Sequence, residues 1–418
     1  MDRNPSRPSL LPSPATLLAA PHRLLFFVGA LNVLAAMTWW LLWTVALRWQ
    51  LWPMPQPPSP MPAGWGHGLV MSYQVFTPFI FGFLLTVFPR WLGQPSLDRW
   101  HYVPVGLGLL GGQALTLIGL CGIPQVLHVG LFASAIGWLS GLLSLGSVLR
   151  SARHRDWHAV SCLLALTVGL VGLLLFIAWW HAPAKGLLGF AALKLGILGF
   201  LLPIYLTVVH RMLPFFAGNI VPGYRGWKPM WLLAAIWLLL AVHLVLELTH
   251  TYAWLWLPDL ALAALSCYWL WRIWPVSNQA DVRLPGLLIV LFIALCWLPM
   301  AFALYTAQSL LFVYSGDFLL GRAPVHALAI GLFGSLLVAM VTRVTQGHSG
   351  RPLAMSATAW FAFAVVQAAA AMRVAAELVN DTWAWHSFAA LAWIVAFLPW
   401  VLRNAGIYLR PRADGKPG

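Results

Sequence analysis

Imidazole is the side chain in this sequence with the widest chemical range, and there are 13 of them in a chain with only 10 Asp and Glu. His67 and His326 each open a long apolar run beside small residues, Gly66 and Gly68 in one case and Ala327 in the other. Two imidazoles that enter a helix bundle from different helices at one depth can ligate haem axially or bind copper. His243 and His250 are seven apart, so on a helix they share a face with Glu247 between them. His101, His154 and His158 stand in basic stretches and read as solvated side chains.

Four charges fall at or within apolar runs: Lys194, Glu247, Arg373 and Glu377. A charge in that setting is expensive and is usually paired or functional. Arg373 and Glu377 are spaced to pair along one helix face. Lys194 has no acid near it in the sequence, so it must find a carboxylate, a carbonyl or an anion on another helix, or lose its proton. Thiolate chemistry is not indicated. Cys121, Cys162, Cys267 and Cys296 never form a Cys-x-x-Cys pair and read as small apolar core residues. No Gly-x-Gly-x-x-Gly, Walker loop, Gly-x-Ser-x-Gly or His-Glu-x-x-His occurs.

The elements that must position these residues follow from composition. Of 418 residues, 61% are hydrophobic and 8% charged, against about 45–50% and about 25% in soluble domains. That excludes a soluble globule, a disulfide scaffold, a disordered chain and a coiled coil. The net charge of +14 does not indicate nucleic acid, because the basic residues sit singly between apolar runs and form no stripe. The 26 Trp cluster near the ends of those runs, as at Trp39, Trp40, Trp43, Trp179, Trp180, Trp383 and Trp385. This is the pattern of an aromatic belt at the headgroup level. The lipid bilayer is therefore the principal partner.

A transmembrane helix takes about 20 apolar residues. Twelve runs qualify: 24–47, 67–89, 102–122, 125–149, 159–181, 186–209, 229–249, 252–274, 284–305, 324–342, 355–377 and 383–402. The expected fold class is an all-α, polytopic membrane helix bundle of about twelve spans. The first run is too long for the apolar part of a signal peptide and no small-residue cleavage site follows it. Of the 24 Lys and Arg, 19 fall on the side of the termini and only Arg48, Lys185 and Arg322 on the other. By the positive-inside rule both termini are cytoplasmic. Residues 1–23 and 403–418 are then cytoplasmic tails, and 24–402 forms one membrane domain. The Pro-rich outer loop 48–66 favours a stiff extended strap. Pro78, Pro203 and Pro299 lie within spans, where each frees a carbonyl.

This topology sorts the histidines. His67, His128, His181, His243, His250, His326 and His386 lie toward the outer ends of spans, so His67 and His326 share a level. His210, Arg211, Arg343, His348 and Arg351 gather at the inner face, where their positive charge would suit haem propionates or an anionic ligand.

Three segments resemble the NnrS family of polytopic membrane proteins. His326-Ala-Leu-Ala-Ile-Gly through Met340-Val-Thr-Arg-Val-Thr-Gln-Gly-His-Ser-Gly-Arg-Pro-Leu353 is similar to the family's His-Ala-Leu-Thr-Val-Gly … Thr-Arg-x-Thr-x-Gly-His-Thr-Gly-Arg-Pro-Leu. Arg211-Met-Leu-Pro-Phe-Phe216 resembles Gly-Gly-Arg-x-Ile-Pro-Phe-Phe, with Val209-His210 in place of the glycines. Gly64-Trp-Gly-His67 through Gly82-Phe-Leu-Leu-Thr-Val-Phe-Pro-Arg-Trp-Leu-Gly93 resembles Trp-His-Ala-His-Glu-Met … Gly-Phe-Leu-Leu-Thr-Ala-x-Pro-x-Trp-x-Gly. His67 matches the second family histidine, while Trp65 and Gly68 replace the first histidine and the glutamate. The resemblance implies a twelve-helix protein of the bacterial inner membrane, containing b-type haem and copper and linked to nitric oxide metabolism and nitrosative stress. It implies His67 and His326 as metal ligands and His348, Arg343, Arg351, His210 and Arg211 as further cofactor-binding residues. Two other readings compete. One is a metal-free multi-pass transporter or permease using Lys194 and the Pro-kinked second and sixth spans. The other is a haem-copper oxidase subunit, which the lack of any His-His dipeptide disfavours.

Overall fold

The computed structural model describes residues 12–274 and 284–415, and all regular structure in them is helical. Arg3, Arg7, Arg283 and Lys416, which enter the charge asymmetry, lie outside the described residues. Lipid offers no partner to backbone N–H and C=O groups, so an apolar run of this length satisfies them internally as a helix. Among the described residues twelve helices are long and apolar enough to span a bilayer. They are α1 Pro21–Trp49, α2 Ala63–Trp91, α3 Arg99–Gly119, α4 Pro124–Arg150, α5 Trp157–His181 and α6 Gly186–Gly218, followed by α7 Met230–Leu248, α8 Tyr252–Ile273, α9 Gly286–Ser315, α10 Ala323–His348, α11 Ala357–Leu378 and α12 Thr382–Tyr408.

The expected spans and these helices coincide in number and order, but α6, α9, α10 and α12 run further at their C-terminal ends. The sequence reading stopped at the first polar residues. Those residues continue the helix, because long basic side chains reach out of the apolar layer while their backbone stays helical. α9 runs past the expected end of its span at 305 and stops where Gly316 turns left-handed at φ 77°. At the other strap, Arg48 at the end of α1 pairs with Asp381 at 2.7 Å, and residues 51–62 contain no helix.

Three helices form the axis. α2 and α10 are the most enclosed of the twelve, and α6 packs with them. Each contains a stretch of wider π-helical winding: Met71–Val75, Leu195–Leu201 and Ala327–Gly334. Such insertions are frequent at functional sites. Each also sends one aromatic ring to the centre. Phe76 and Tyr205 lie 6.2 Å apart, Phe76 and Phe333 6.0 Å, and Tyr205 and Phe333 4.9 Å. The three helices are four apart in chain order, so the bundle reads as three four-helix units, each with its second helix on the axis.

Close approach elsewhere depends on small residues. A Cβ on Gly108 of α3 would sit 2.6 Å from the Gly137 Cα of α4, so both positions need hydrogen where lipid allows backbones to touch. Buried amides knit the first unit. Asn32 donates to the Gln74 carbonyl at 3.0 Å, and the Gln74 amide donates to Thr116 and Ser134 at 2.8 Å.

α1 packs on α12 and closes the ring. There Ser13 N–H donates to the Leu409 carbonyl at 2.7 Å, and Arg23 donates to the carbonyls of Tyr408 and Arg410 at 3.2 and 2.8 Å. Ser13 and Arg410 thus lie together at one end of the bundle, the terminal end, opposite the far end.

Candidate functional site

At the terminal end the three axial helices each deliver an arginine to one cavity. Arg90 of α2, Arg211 of α6 and Arg343 of α10 line a space of about 440 Å³, together with Lys228 and His348. Its remaining walls are mainly apolar, including Phe83, Val87, Trp91, Phe216 and Leu353. Arg343 is 8% exposed and holds its guanidinium over the Phe216 ring, 3.8 Å from the centroid. Arg211 lies 4.2 Å over Trp91 and donates to Asp156 at 2.5 Å. Burial opposes the charge of Asp156, but the Ala159 amide and the Arg211 guanidinium outweigh it and hold the carboxyl below its ordinary range. Among the described residues Arg90, Arg343 and Lys228 have no carboxylate partner. The cavity is of ligand size, and its unpaired cations suit a carboxylate or oxyanion.

His348 stands at the edge of this cavity. Its Nδ1–H donates to the Val344 carbonyl at 3.1 Å, which leaves Nε2 with its lone pair, 3.4 Å from an Arg90 nitrogen. The ring of His22 lies 4.5 Å from it. His326, at the other end of the same helix, repeats the device by donating Nδ1–H to the Arg322 carbonyl at 2.9 Å. A metal-ligating histidine is normally held this way, with one nitrogen on a carbonyl and the other free.

His326 belongs to a second group, at the far end. His67 opens α2 and stacks on Trp40, with ring centroids 4.2 Å apart and planes 18° from parallel. His67, His326 and His386 are near enough for their charges to interact with one another and with Arg373. Arg373 donates to Glu377 at 2.7 Å, the pairing expected from their spacing. His386 is buried and neither of its nitrogens has a hydrogen-bond partner, although its Nε2 lies 3.8 Å from Glu377. Unsatisfied buried imidazole of this kind marks a place for a further group. Sequence reasoning missed His386 because it lies outside the matched segments and far along the chain. Only the ring closure of α12 on α1 brings it in.

The expected inner group divides. Arg211, Arg343 and His348 share the terminal cavity. His210 does not, being fully enclosed with both nitrogens committed, to His158 at 2.9 Å and to the Pro229 carbonyl at 3.2 Å. Arg351 lines a neighbouring space of about 200 Å³ with Arg403 and Asn404. Neighbours on one helix, such as His210 and Arg211, point to different faces, and a sequence level gives depth but not direction. Arg90 was missed as a site residue for a similar reason, having counted only as a loop charge.

Lys194 finds its partner on another helix. Its Nζ lies 2.7–2.8 Å from the carboxylate oxygens of Glu247. Glu247 lies 3.7 Å from His243, whose Nδ1 is 2.5 Å from Asp259. This chain of alternating charge joins α6, α7 and α8. His250 does not share the face of His243, because α7 stops at Leu248 and His250 turns left-handed at φ 57°.

Among the described residues no three His, Cys, Asp or Glu side chains are grouped to hold a metal ion. The described residues therefore offer imidazole nitrogens singly, and do not fit a metal ion caged by three protein ligands. A family model described as NnrS protein matches residues 16–412. No curated protein matches the chain.

Proposed function

The chain belongs to the NnrS family, and from that premise we propose that it is an integral membrane haem protein acting in nitric oxide metabolism or the response to nitrosative stress. We place it in the bacterial inner membrane with both termini cytoplasmic, on the charge asymmetry between the two ends. His67 and His326 would hold the haem at the far end, with His386 the third imidazole beside them. Arg90, Arg211 and Arg343 are the proposed anchors for haem carboxylates or another anion at the terminal end, with His348 as the ligand there.

One observation carries this reading. His326 and His348 lie at the two ends of one axial helix, and each ties Nδ1–H to the carbonyl four residues back, which turns the Nε2 lone pair outward, unpartnered among the described residues in His326 and facing an Arg90 nitrogen at 3.4 Å in His348. Bound haem supplies an iron that takes a diatomic ligand and cycles by one electron. The protein's own part is positional. Trp40 fixes the His67 plane by stacking, and Glu377 answers the Arg373 charge beside the imidazoles. Arginine offers paired donors that match a carboxylate, which a lysine would not.

Copper is implied by the family, but the side chains present give no reason to assign it a site. Two observations weigh against the metal-free permease reading. Lys194 is neutralised by Glu247, and the axis is closed by Phe76, Tyr205 and Phe333.

The test is the absorption spectrum and metal content of the purified, detergent-solubilised protein. His67→Ala and His326→Ala should each remove or shift the haem band, while His181→Ala, an exposed far-end histidine, should leave it unchanged. Wild-type spectra in both ligand variants would abolish the far-end assignment. Wild-type protein without haem after haem-replete expression would return the permease reading.

A further inference from the structure

Between the terminal cavity and the central rings lies a smaller cavity of about 60 Å³, bounded by α1, α2, α6 and α10. Thirteen of its fourteen lining residues are Phe, Ile, Leu, Val or Met, and the exception is Tyr205. It shares Phe83 and Val344 with the terminal cavity as common walls. Tyr205 is held by stacking on Phe333 at 4.9 Å, with its plane 28° from parallel. Its hydroxyl makes no hydrogen bond among the described residues.

These features restrict the occupant by size and by polarity. A water takes about 30 Å³ of liquid and needs roughly two to four polar partners, and an apolar cavity that cannot supply them stays dry. Here a single hydroxyl is on offer. An apolar space of about 150 Å³ takes benzene or xenon, so this smaller one is limited to a few atoms. A charged guest would find no counter-charge in the wall. What remains is a small neutral molecule that prefers hydrocarbon to water, which is the character of a dissolved gas. Such a molecule partitions into the bilayer, and the cavity sits within the bilayer-spanning part of the axis.

We propose that this cavity is a docking site for a small neutral gas molecule, with the Tyr205 hydroxyl as its one hydrogen-bond donor. The identity of the gas as nitric oxide rests on the function proposed above, whereas the capacity for a gas does not.

Xenon is the probe, applied to the full chain in detergent and read by 129Xe NMR, which needs no haem. The wild type should show a saturable bound-xenon signal. Val341→Phe, which fills the cavity from α10, should lose it with helical content and thermal midpoint retained. Val208→Phe, from the opposite wall on α6, should do the same and serves if the first variant misfolds. Tyr205→Phe should keep the xenon signal and weaken the infrared band of trapped nitric oxide. No saturable xenon signal in the wild type, or one that survives both filling variants, overturns the site. An unchanged nitric oxide band in Tyr205→Phe overturns the donor role. Xenon binding in a protein that carries no haem leaves the gas site standing and removes the nitric oxide reading.

Discussion

The two ends of the axial helices handle charge in opposite ways. At the far end most of the charge is balanced within pairs, Arg373 with Glu377, Lys194 with Glu247 and Arg48 with Asp381, and Arg322 stands beside the histidines without an ion pair among the described residues. At the terminal end Arg90, Arg343 and Lys228 converge on one cavity in which Asp156 answers only Arg211. A bias of basic residues toward one end accounts for the number of cations there, but not for the way Arg90, Arg211 and Arg343, all on helices, face one cavity. Paired charge leaves the imidazoles as the main chemical feature of the far end, while an unbalanced cluster retains its attraction for an anion. The same three helices thus end in two settings of different electrostatics.

Orientation gives the all-or-none test of which end is which. Reporters active only outside the cytoplasm should work when fused near Pro58 or Asp317, and fail near Arg155 or Gly347. Activity at Arg155 would invert the charge argument at both ends.

The next effect is on stability. Glu247 has a side chain 6% exposed and Lys194 one 30% exposed. Lys194→Met should strand a carboxylate that cannot reach water, at a cost on the order of 3–5 kcal/mol. Glu247→Gln leaves a lysine that can turn outward and should cost less. Thermal unfolding in detergent separates the two, and the reverse order would show that Lys194 is not the main counter-charge. Arg90→Met, by contrast, removes no ion pair. It should change the midpoint little and lower the affinity of the terminal cavity for anions, with a weaker salt dependence than the wild type. A large loss of stability there would mean that Arg90 is structural.

Asp156 should give the smallest change. Asp156→Asn removes a half-buried pair and should cost about 1 kcal/mol. Its folded pKa lies below the ordinary carboxylate value, so the wild type keeps this contribution above about pH 4 and loses it as pH falls through the lower folded value. A variant whose stability runs parallel to the wild type through that acid window would deny the pair any role.

Much of the fold was legible because lipid imposes one rule at every span, and apolar length with basic asymmetry reads it directly. Helix ends were less so, since His210, Arg211 and Arg343 look like loop residues and are helical. The π-helical stretches leave no mark in an apolar run, where every face is hydrophobic and periodicity carries no signal. A trace of the axial repeat is present. Lys194 and Arg211 have the same separation as His326 and Arg343, with Gly199 and Gly331 in matching places. The far-end group was half legible, in His67 and His326, because matched segments give identity and depth. His386 and Arg90 needed the rotation of each helix about its own axis, which packing alone determines.

The seam between α1 and α12 has a consequence for biogenesis. α1 leaves the ribosome before the other eleven spans, yet its buried face, with Arg23 bound to the carbonyls of Tyr408 and Arg410, is completed only by α12. Until then that flank is covered by lipid, by an insertion factor or by another nascent segment. The adjoining ends also make the ring nearly indifferent to where the chain starts. A circular permutant that joins Ser13 to Leu409 by a short linker and opens between two four-helix units should assemble the same bundle, with a different helix left waiting.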